Sequence, residues 1–305
     1  MIYTLTLNPS LDYSLTLPKF AVEAINTSNR EEIRPGGKGV NISIMLERLG
    51  HKSIAMGIAA GFTGAEFVKL LSGMVSNVDF IMTEGGNTRI NVKFQTDVET
   101  EINSKGPSHI PFEVYDKIVT KLCDNLKSGD TLVLAGSIFP GWPETCHSKL
   151  LKAIRGKSIT VIIDTNGTSL VDSLRYRPYL IKPNRRELCQ IFSKELNSTS
   201  EITYHARLLQ ARGAQRVIVS LGKDGAILLD EHEHVFQSMP PTGHVKNTVG
   251  AGDAMLGAYI AAMEEGRPTI ECFKYSMAAG SATAYSQWLA SKEEIDALYP
   301  KIRLI

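Results

Sequence analysis

Cysteine is scarce and scattered. The 305 residues hold four, at positions 123, 146, 189 and 272, and none forms a Cys-x-x-Cys pair or sits near a His pair at zinc-ligand spacing. A disulfide framework and a zinc module are excluded, and the thiols read as small buried hydrophobes in a reducing compartment. Charge of one sign is missing too. Lys and Arg number 33 against 32 Asp and Glu, a net charge of +1. No long-range field draws the chain to nucleic acid or to an acidic membrane, so an anionic ligand must be held by local groups. No apolar run approaches the roughly 20 residues that cross a bilayer. The opening Met1-Ile2-Tyr3-Thr4-Leu5-Thr6-Leu7 lacks a basic leader and reads as a strand, which makes the cytoplasm the expected compartment. No Gly-x-Gly-x-x-Gly follows that strand with an acid about 20 residues on, which argues against a dinucleotide-dependent oxidoreductase. A small molecule is the expected partner.

What is present is an alternation of two textures. Short apolar runs, Ile54-Ala55-Met56, Thr131-Leu132-Val133-Leu134, Ile159-Thr160-Val161-Ile162-Ile163 and Val217-Ile218-Val219, suit strands buried on both faces of a parallel sheet. Between them lie helical patterns: Val40 to Leu49; Val114, Ile118, Leu122 and Leu126 at intervals of four; Leu150 to Ile154; and Leu208-Leu209. Ala/Gly-rich helices are expected over Asp253 to Met263 and Thr269 to Ser286. Strand–helix alternation of this extent predicts a three-layer α/β fold with a mostly parallel central sheet. Two stretches depart from it. Residues 11–35 and 89–103 alternate with period two, as in Arg89-Ile90-Asn91-Val92-Lys93-Phe94, and predict half-exposed antiparallel strands of a small projecting sheet. Such a sheet needs a cover, either closed substrate or a second subunit.

Asn247-Thr248-Val249-Gly250-Ala251-Gly252-Asp253 precedes an apolar helix. A glycine turn that points N–H groups inward, joined to a helix N-terminus, is an anion hole for a phosphoryl group. Asp253 has two readings there. It can take a proton from an attacking hydroxyl while the N–H groups stabilise the transferred group, or it can simply cap the helix. The positive helix end is expected to lower its pKa.

Arg34-Pro35-Gly36-Gly37-Lys38-Gly39-Val40-Asn41 is a second glycine cluster. The Walker A spacing is absent. Lys38 can meet a phosphate and Asn41 can bond sugar hydroxyls; alternatively the segment is only a strand-to-helix turn. Asn184 and Glu187, in Lys182-Pro183-Asn184-Arg185-Arg186-Glu187, are three apart and match a capping box. Ser220-Leu221-Gly222-Lys223-Asp224-Gly225 reads as a tight turn between two β runs.

Gly-Gly-Lys-Gly-x-Asn near position 40 together with Gly-x-Gly-Asp near position 250 resembles the PfkB branch of the ribokinase superfamily, over essentially the whole chain. Asn8-Pro9-Ser10-Leu11-Asp12 resembles that family's N-terminal motif. Thr88-Arg89-Ile90-Asn91-Val92-Lys93, Thr100-Glu101-Ile102-Asn103 with Gly106-Pro107, and Ala135-Gly136-Ser137 with Pro140 resemble its 1-phosphofructokinase and tagatose-6-phosphate kinase subgroup, the first being closest to 1-phosphofructokinase. The resemblance implies one ribokinase-like α/β/α domain over 1–305 with a small β lid. It implies phosphoryl transfer from ATP with Mg²⁺ to a sugar-phosphate hydroxyl. Asp253 would be the base, with Gly250, Ala251 and Gly252 as the anion hole. Asp12, Gly36, Gly37, Lys38, Asn41, Arg89, Asn91 and Ser137 would hold the sugar phosphate. Lys182, Asn184, Ser220, Gly222, Gly225, Thr248 and, beside the adenine, Gly280 would surround the nucleotide. Asn184 and Glu187 would organise the metal through water. Within the family, fructose 1-phosphate is the leading substrate, with tagatose 6-phosphate and fructose 6-phosphate as alternatives, and a catalytically silent sugar-phosphate sensor as a distant one. A homodimer through the lid is expected. One motif departs from the subgroup: Asn26-Thr27 stands where Asn-Arg is usual, so that either Arg30 or Lys38 compensates for the missing phosphate contact, or phosphate binding is weaker, or the substrate differs.

Overall fold

The computed structural model describes residues 1–96, 100–107 and 109–305; positions 97–99 of the expected lid segment 89–103 lie outside them. In chain order the strands are β1 (Ile2–Thr6), β2 (Ser10–Thr16), β3 (Arg30–Gly36), β4 (Ser53–Ala60), β5 (Asn77–Thr83), β6 (Arg89–Gln95), β7 (Thr100–Asn103), β8 (Thr131–Ala135), β9 (Thr160–Asp164), β10 (Leu180–Ile181), β11 (Arg216–Ser220), β12 (Ala226–Leu229) and β13 (Val235–Ser238). The helices are α1 (Lys38–Arg48), α2 (Gly61–Ser72), α3 (Glu113–Asn125), α4 (Cys146–Ala153), α5 (Gly167–Ser173), α6 (Arg185–Phe192), α7 (Thr199–Ala211), α8 (Ala251–Glu264), α9 (Thr269–Tyr285) and α10 (Lys292–Leu298).

Among the described residues the strands form two sheets. The larger runs β13-β12-β11-β10-β9-β8-β1-β4-β5, parallel from β11 to β5, with β12 and β13 antiparallel at one edge. Its central strands are apolar on both faces because both faces are covered. Every residue of β1 and β8 is buried. Alternate residues of one strand enter different cores: Ile218 packs with α1, α8 and α9, while Val217 and Val219 pack with α3 to α7. A three-layer α/β/α arrangement results, as the alternating textures predict. The small-residue helices α8 and α9 pack closely; a Cβ on Gly280 would meet Met255 Cγ at 2.5 Å. No helix among the described residues is long and apolar enough to cross a membrane. The four cysteines are unpaired, with Cys146 and Cys272 buried.

The second sheet has the order β3-β2-β6-β7. The expectation of antiparallel lid strands is corrected at one pairing. β2 runs antiparallel to β3, and β6 to β7, but β2 and β6 are parallel. The reason is connectivity: β2 and β6 are joined through α1, β4, α2 and β5, a crossover rather than a hairpin. The segment 17–29 is a loop between β2 and β3, so the lid strands are shorter than the period-two pattern suggested. Register puts Asp12, Arg34 and Asn91 on one face and Tyr13, Ile33, Val92 and Ile102 on the other.

The sheet order reverses direction at β1: the chain proceeds outward to β4 and β5, then returns to β8 on the other side. Ligands in open α/β sheets bind beyond the carboxyl ends of the strands at such a reversal. The second sheet stems from this same end, since β2 begins four residues after β1 closes and β3 runs directly into α1.

Candidate active site

Asp253 lies at the point where the two sheets and α8 converge. Gly250 is the N-cap of α8, with φ 78°, a left-handed conformation that glycine adopts without steric cost. Asp253 is therefore the third residue of the helix, and its side chain makes no capping bond. Instead Oδ2 accepts a hydrogen bond from Asn41 Nδ2 at 2.7 Å, which ties the two glycine motifs together across 212 positions. The N-cap reading is not realised. The expected lowering of its pKa is also overturned: burial, and next the nearby charge of Asp164, push Asp253 up to about 6, against the opposing pull of Lys38, Asn41 and Lys182. The positive helix end is outweighed because the carboxylate is removed from water.

On the lid side, the carboxylate of Asp12 accepts from Ser10 Oγ at 2.7 Å, Asn91 Nδ2 at 3.0 Å and Lys93 Nζ at 2.6 Å. A Cβ on Gly36 would lie 2.6 Å from Asp12 Cγ, so only glycine lets β3 pass this close. Arg89 is anchored through Nε to the carbonyl of Pro9 at 3.3 Å and through Nη1 to that of Ser104 at 3.4 Å. Burial, opposed by Asp12, lowers its pKa. Asn8 donates Nδ2 to the carbonyl of Lys105 at 3.1 Å and reaches Ser137 Oγ at 3.5 Å. Among the described residues, the Oδ1 atoms of Asn8 and Asn91 are buried without a donor. Two unsatisfied acceptors beside a carboxylate suit a ligand rich in hydroxyls.

On the other side of Asp253 lies a cavity of about 420 Å³ lined by Asn184, Ser220, Gly222, Gly225, Thr248, Ala251, Gly252 and Gly280. Its walls are largely apolar, from Val245, Met255, Met277 and Tyr285. The cavity thus gathers six of the seven residues expected around a nucleotide. The seventh, Lys182, is buried at its edge: a Cβ on Gly252 would stand 3.1 Å from its Nζ. The turn reading of 220–225 holds as well, since β11 and β12 are an antiparallel pair joined through it.

Asn184 and Glu187 realise the capping box in full. Asn184 Oδ1 accepts from the Glu187 N–H, and Glu187 Oε2 from the Asn184 N–H, each at 2.8 Å. The remaining Oε1 faces Lys38 Nζ at 3.4 Å. Lys38 also pairs with Asp164 Oδ1 at 2.9 Å. Burial opposes its charge, but Asp164, Glu187 and Asp253 together raise its pKa. Lys38 is therefore held by Asp164 and Glu187, within the field of Asp253. Arg30 stands at the far end of β3, six residues or roughly 20 Å from Gly36, and pairs with Glu32. It cannot reach the site of its own chain. Thr27 is exposed in the loop 17–29.

Sequence reasoning missed three polar residues: Asn8, Lys93 and above all Asp164. Asp164 follows Ile162-Ile163 at the carboxyl end of a buried strand, and an acid at that position is itself a signal. Among the described residues no group of three or more His, Cys, Asp or Glu is placed to chelate a bare metal ion.

A cluster of polar side chains around Asp12 and a largely apolar cavity thus flank a glycine turn and a buried carboxylate. The family model for pfkB carbohydrate kinases matches residues 6–293. The chain belongs to the pfkB family of carbohydrate kinases. As a member of that family it is a phosphotransferase acting on an alcohol group. Among relatives, a 1-phosphofructokinase of Bacillus subtilis (strain 168) is 37% identical over 100% of this chain and 99% of its own length. A D-tagatose-1-phosphate kinase of Bacillus licheniformis is 35% identical, again over 100% and 99%. The structure of Escherichia coli phosphofructokinase-2 in complex with substrates and products superposes with a TM-score of 0.92, at 30% identity over 98% of both chains. Arabidopsis thaliana ribokinase shares the fold, with a TM-score of 0.76, 19% identity and 98% coverage of both chains. The pfkB membership accounts for the two-sheet architecture and for the juxtaposition of the two glycine motifs.

Proposed function

We propose that the protein is an ATP-dependent 1-phosphofructokinase. Asp253 takes the proton of the 6-hydroxyl of D-fructose 1-phosphate, O6 attacks the γ-phosphorus, the bond from that phosphorus to the β–γ bridging oxygen breaks, and fructose 1,6-bisphosphate and ADP leave. The observation that carries this reading is the 2.7 Å bond from Asn41 to Asp253, which holds the carboxylate between the hydroxyl-binding pocket and the cavity beneath the α8 N-terminus. The N–H groups of Ala251 and Gly252 and the ammonium of Lys182 are the groups nearest the transferred phosphoryl. Asp12, Asn41, Asn91 and Arg89 hold the sugar phosphate, with Gly36, Gly37 and Ser137 lining its approach. The apolar walls at Met255, Met277 and Gly280 take the base of the nucleotide.

Asn184 and Glu187 are engaged in their capping box, so their free lone pairs suit a hydrated Mg²⁺ held through water. When bound, that ion would neutralise charge on the phosphates. Each of the other roles belongs to the chain itself. The second sheet turns the apolar face of Ile33, Ile90 and Ile102 outward, with Ile102 58% exposed, which supports a homodimer through the lid.

A coupled ADP-release assay over a panel of ketose phosphates tests the assignment. Fructose 1-phosphate should give the highest kcat/KM. Equal or better turnover of tagatose 1-phosphate, the substrate in the name of the B. licheniformis relative, would move the assignment to that sugar without changing the chemistry. Tagatose 6-phosphate and fructose 6-phosphate complete the panel.

A further inference from the structure

Asp164 ends β9 and is completely buried below the transfer point. Its two oxygens serve two ammonium groups. Lys38 Nζ lies 2.9 Å from Oδ1 and Lys182 Nζ 3.1 Å from Oδ2. The lysines come from opposite sides. Lys38 opens α1, beside the lid strands, and Lys182 follows β10, beside the nucleotide cavity. We propose that Asp164 is a positioning residue for phosphoryl transfer, one that holds Lys38 and Lys182 as a preset pair of cations flanking the path of the transferred group. The inference rests on the phosphotransferase reading above.

Three observations support it. First, Asp164 is 1% exposed and each of its oxygens stands in ion-pair reach of one lysine, so it acts through them. Burial would raise its pKa, but Lys182 and then Lys38 hold it below the usual carboxylate range, so it stays ionised. Second, the lysines keep donors to spare. An ammonium has three N–H bonds. Lys182 meets Asp164 as an ion pair, Oδ2 accepting no hydrogen bond among the described residues, and Lys38 donates one bond to Asp164 and one to Glu187. The unspent donors belong to ammonium groups beside Gly252 and at the start of α1, where anionic oxygens of a phosphoryl group would arrive. A flexible four-carbon stem fixed in advance loses no further freedom when the ligand binds. Third, Asp164 keeps the lysines from the base. Asp253 attracts both electrostatically, yet its hydrogen bond is to Asn41. An ammonium bonded directly to Asp253 would quench it as a proton acceptor. Asp164 supplies a competing, deeper anchor.

The test is kinetic, made well below each variant's melting temperature. Asp164→Asn should lower kcat by roughly 100-fold or more, within the range for losing preorganised charge at a reacting centre, while KM for the sugar phosphate stays within about threefold. Lys38→Met should lower kcat less. The double variant Asp164→Asn/Lys38→Met should be no slower than Asp164→Asn alone, because an unanchored Lys38 contributes little. Should Asp164→Asn fail to fold, the double variant, which removes one charge of each sign, is compared with Lys38→Met; a further loss of about tenfold is expected because Lys182 has lost its anchor. A kcat for Asp164→Asn within threefold of wild type, or single losses that multiply in the double variant, would overturn the proposal. Calorimetric ADP affinity separates this from a wrong function. If wild type turns over no ketose phosphate, the kinase assignment fails. The positioning role then stands if Asp164→Asn weakens ADP binding about tenfold, and falls if affinity is unchanged.

Discussion

Asn41 and Asp253 are joined by a single hydrogen bond of 2.7 Å, Nδ2 donating to Oδ2, and that bond stabilises the ionised form of a carboxylate that burial nevertheless pushes up to about 6. The pH dependence of turnover should report it. Wild type should lose kcat/KM as pH falls through about 6. Asn41→Ala removes a stabiliser of the anion, so its acid limb should move to higher pH. Titration of the substrate phosphate is common to both proteins and cancels in the comparison. A limb that stays put or moves to lower pH would separate Asn41 from the base.

The same carboxylate weakens the ligand-free fold. Its folded pKa exceeds the unfolded 3.8, so its stabilising contribution is complete below pH 3.8 and is lost as pH rises through about 6. Asp253→Asn should therefore melt higher than wild type at pH 7.5, with the gap closing toward pH 4, while kcat falls by roughly 10²–10⁴-fold. Thermal melts at the two pH values and a rate assay check both halves. Normal turnover in this variant would remove Asp253 as the base.

Glu187→Gln separates capping from metal organisation. Glutamine still accepts the Asn184 N–H in a capping box, so the melting temperature should hold within a few degrees. The lost charge should raise the Mg²⁺ concentration for half-maximal rate severalfold. An unchanged Mg²⁺ requirement would leave Glu187 with the cap alone.

Gly36→Ala should act on the sugar and not on the nucleotide. The new Cβ would stand 2.6 Å from Asp12 Cγ and must displace the carboxylate. KM for the sugar phosphate should rise about tenfold or more, with KM for ATP unchanged. Equal effects on both would show a general distortion instead.

Charging the outer lid face tests the dimer. Ile33→Asp with Ile102→Asp places two like charges on a face that carries Tyr13 and Val92 between them. Sedimentation at micromolar concentration should shift from dimer to monomer. A wild-type monomer would refute the arrangement outright.

Local patterns were enough to read much of this protein from its amino-acid order. Apolar runs such as Thr131 to Leu134 announce strands buried on both faces, and the four-residue interval from Val114 to Leu122 announces a helix, because burial imposes a fixed period on each element. The glycine motifs were legible for a related reason: a left-handed Gly250 and a crowded Gly36 admit no substitute, so the residue type reveals the geometry. Tertiary structure alone decided the rest. The parallel pairing of β2 with β6 depends on what crosses between them and leaves no trace in either strand. That Lys38 is anchored by Asp164, 126 positions away, could not be read from its own motif. Asp253 looked acidified by its helix until burial and the charge of Asp164 reversed the shift. Charge interactions act through space and grow as water is excluded, so their sum exists only once the chain has folded.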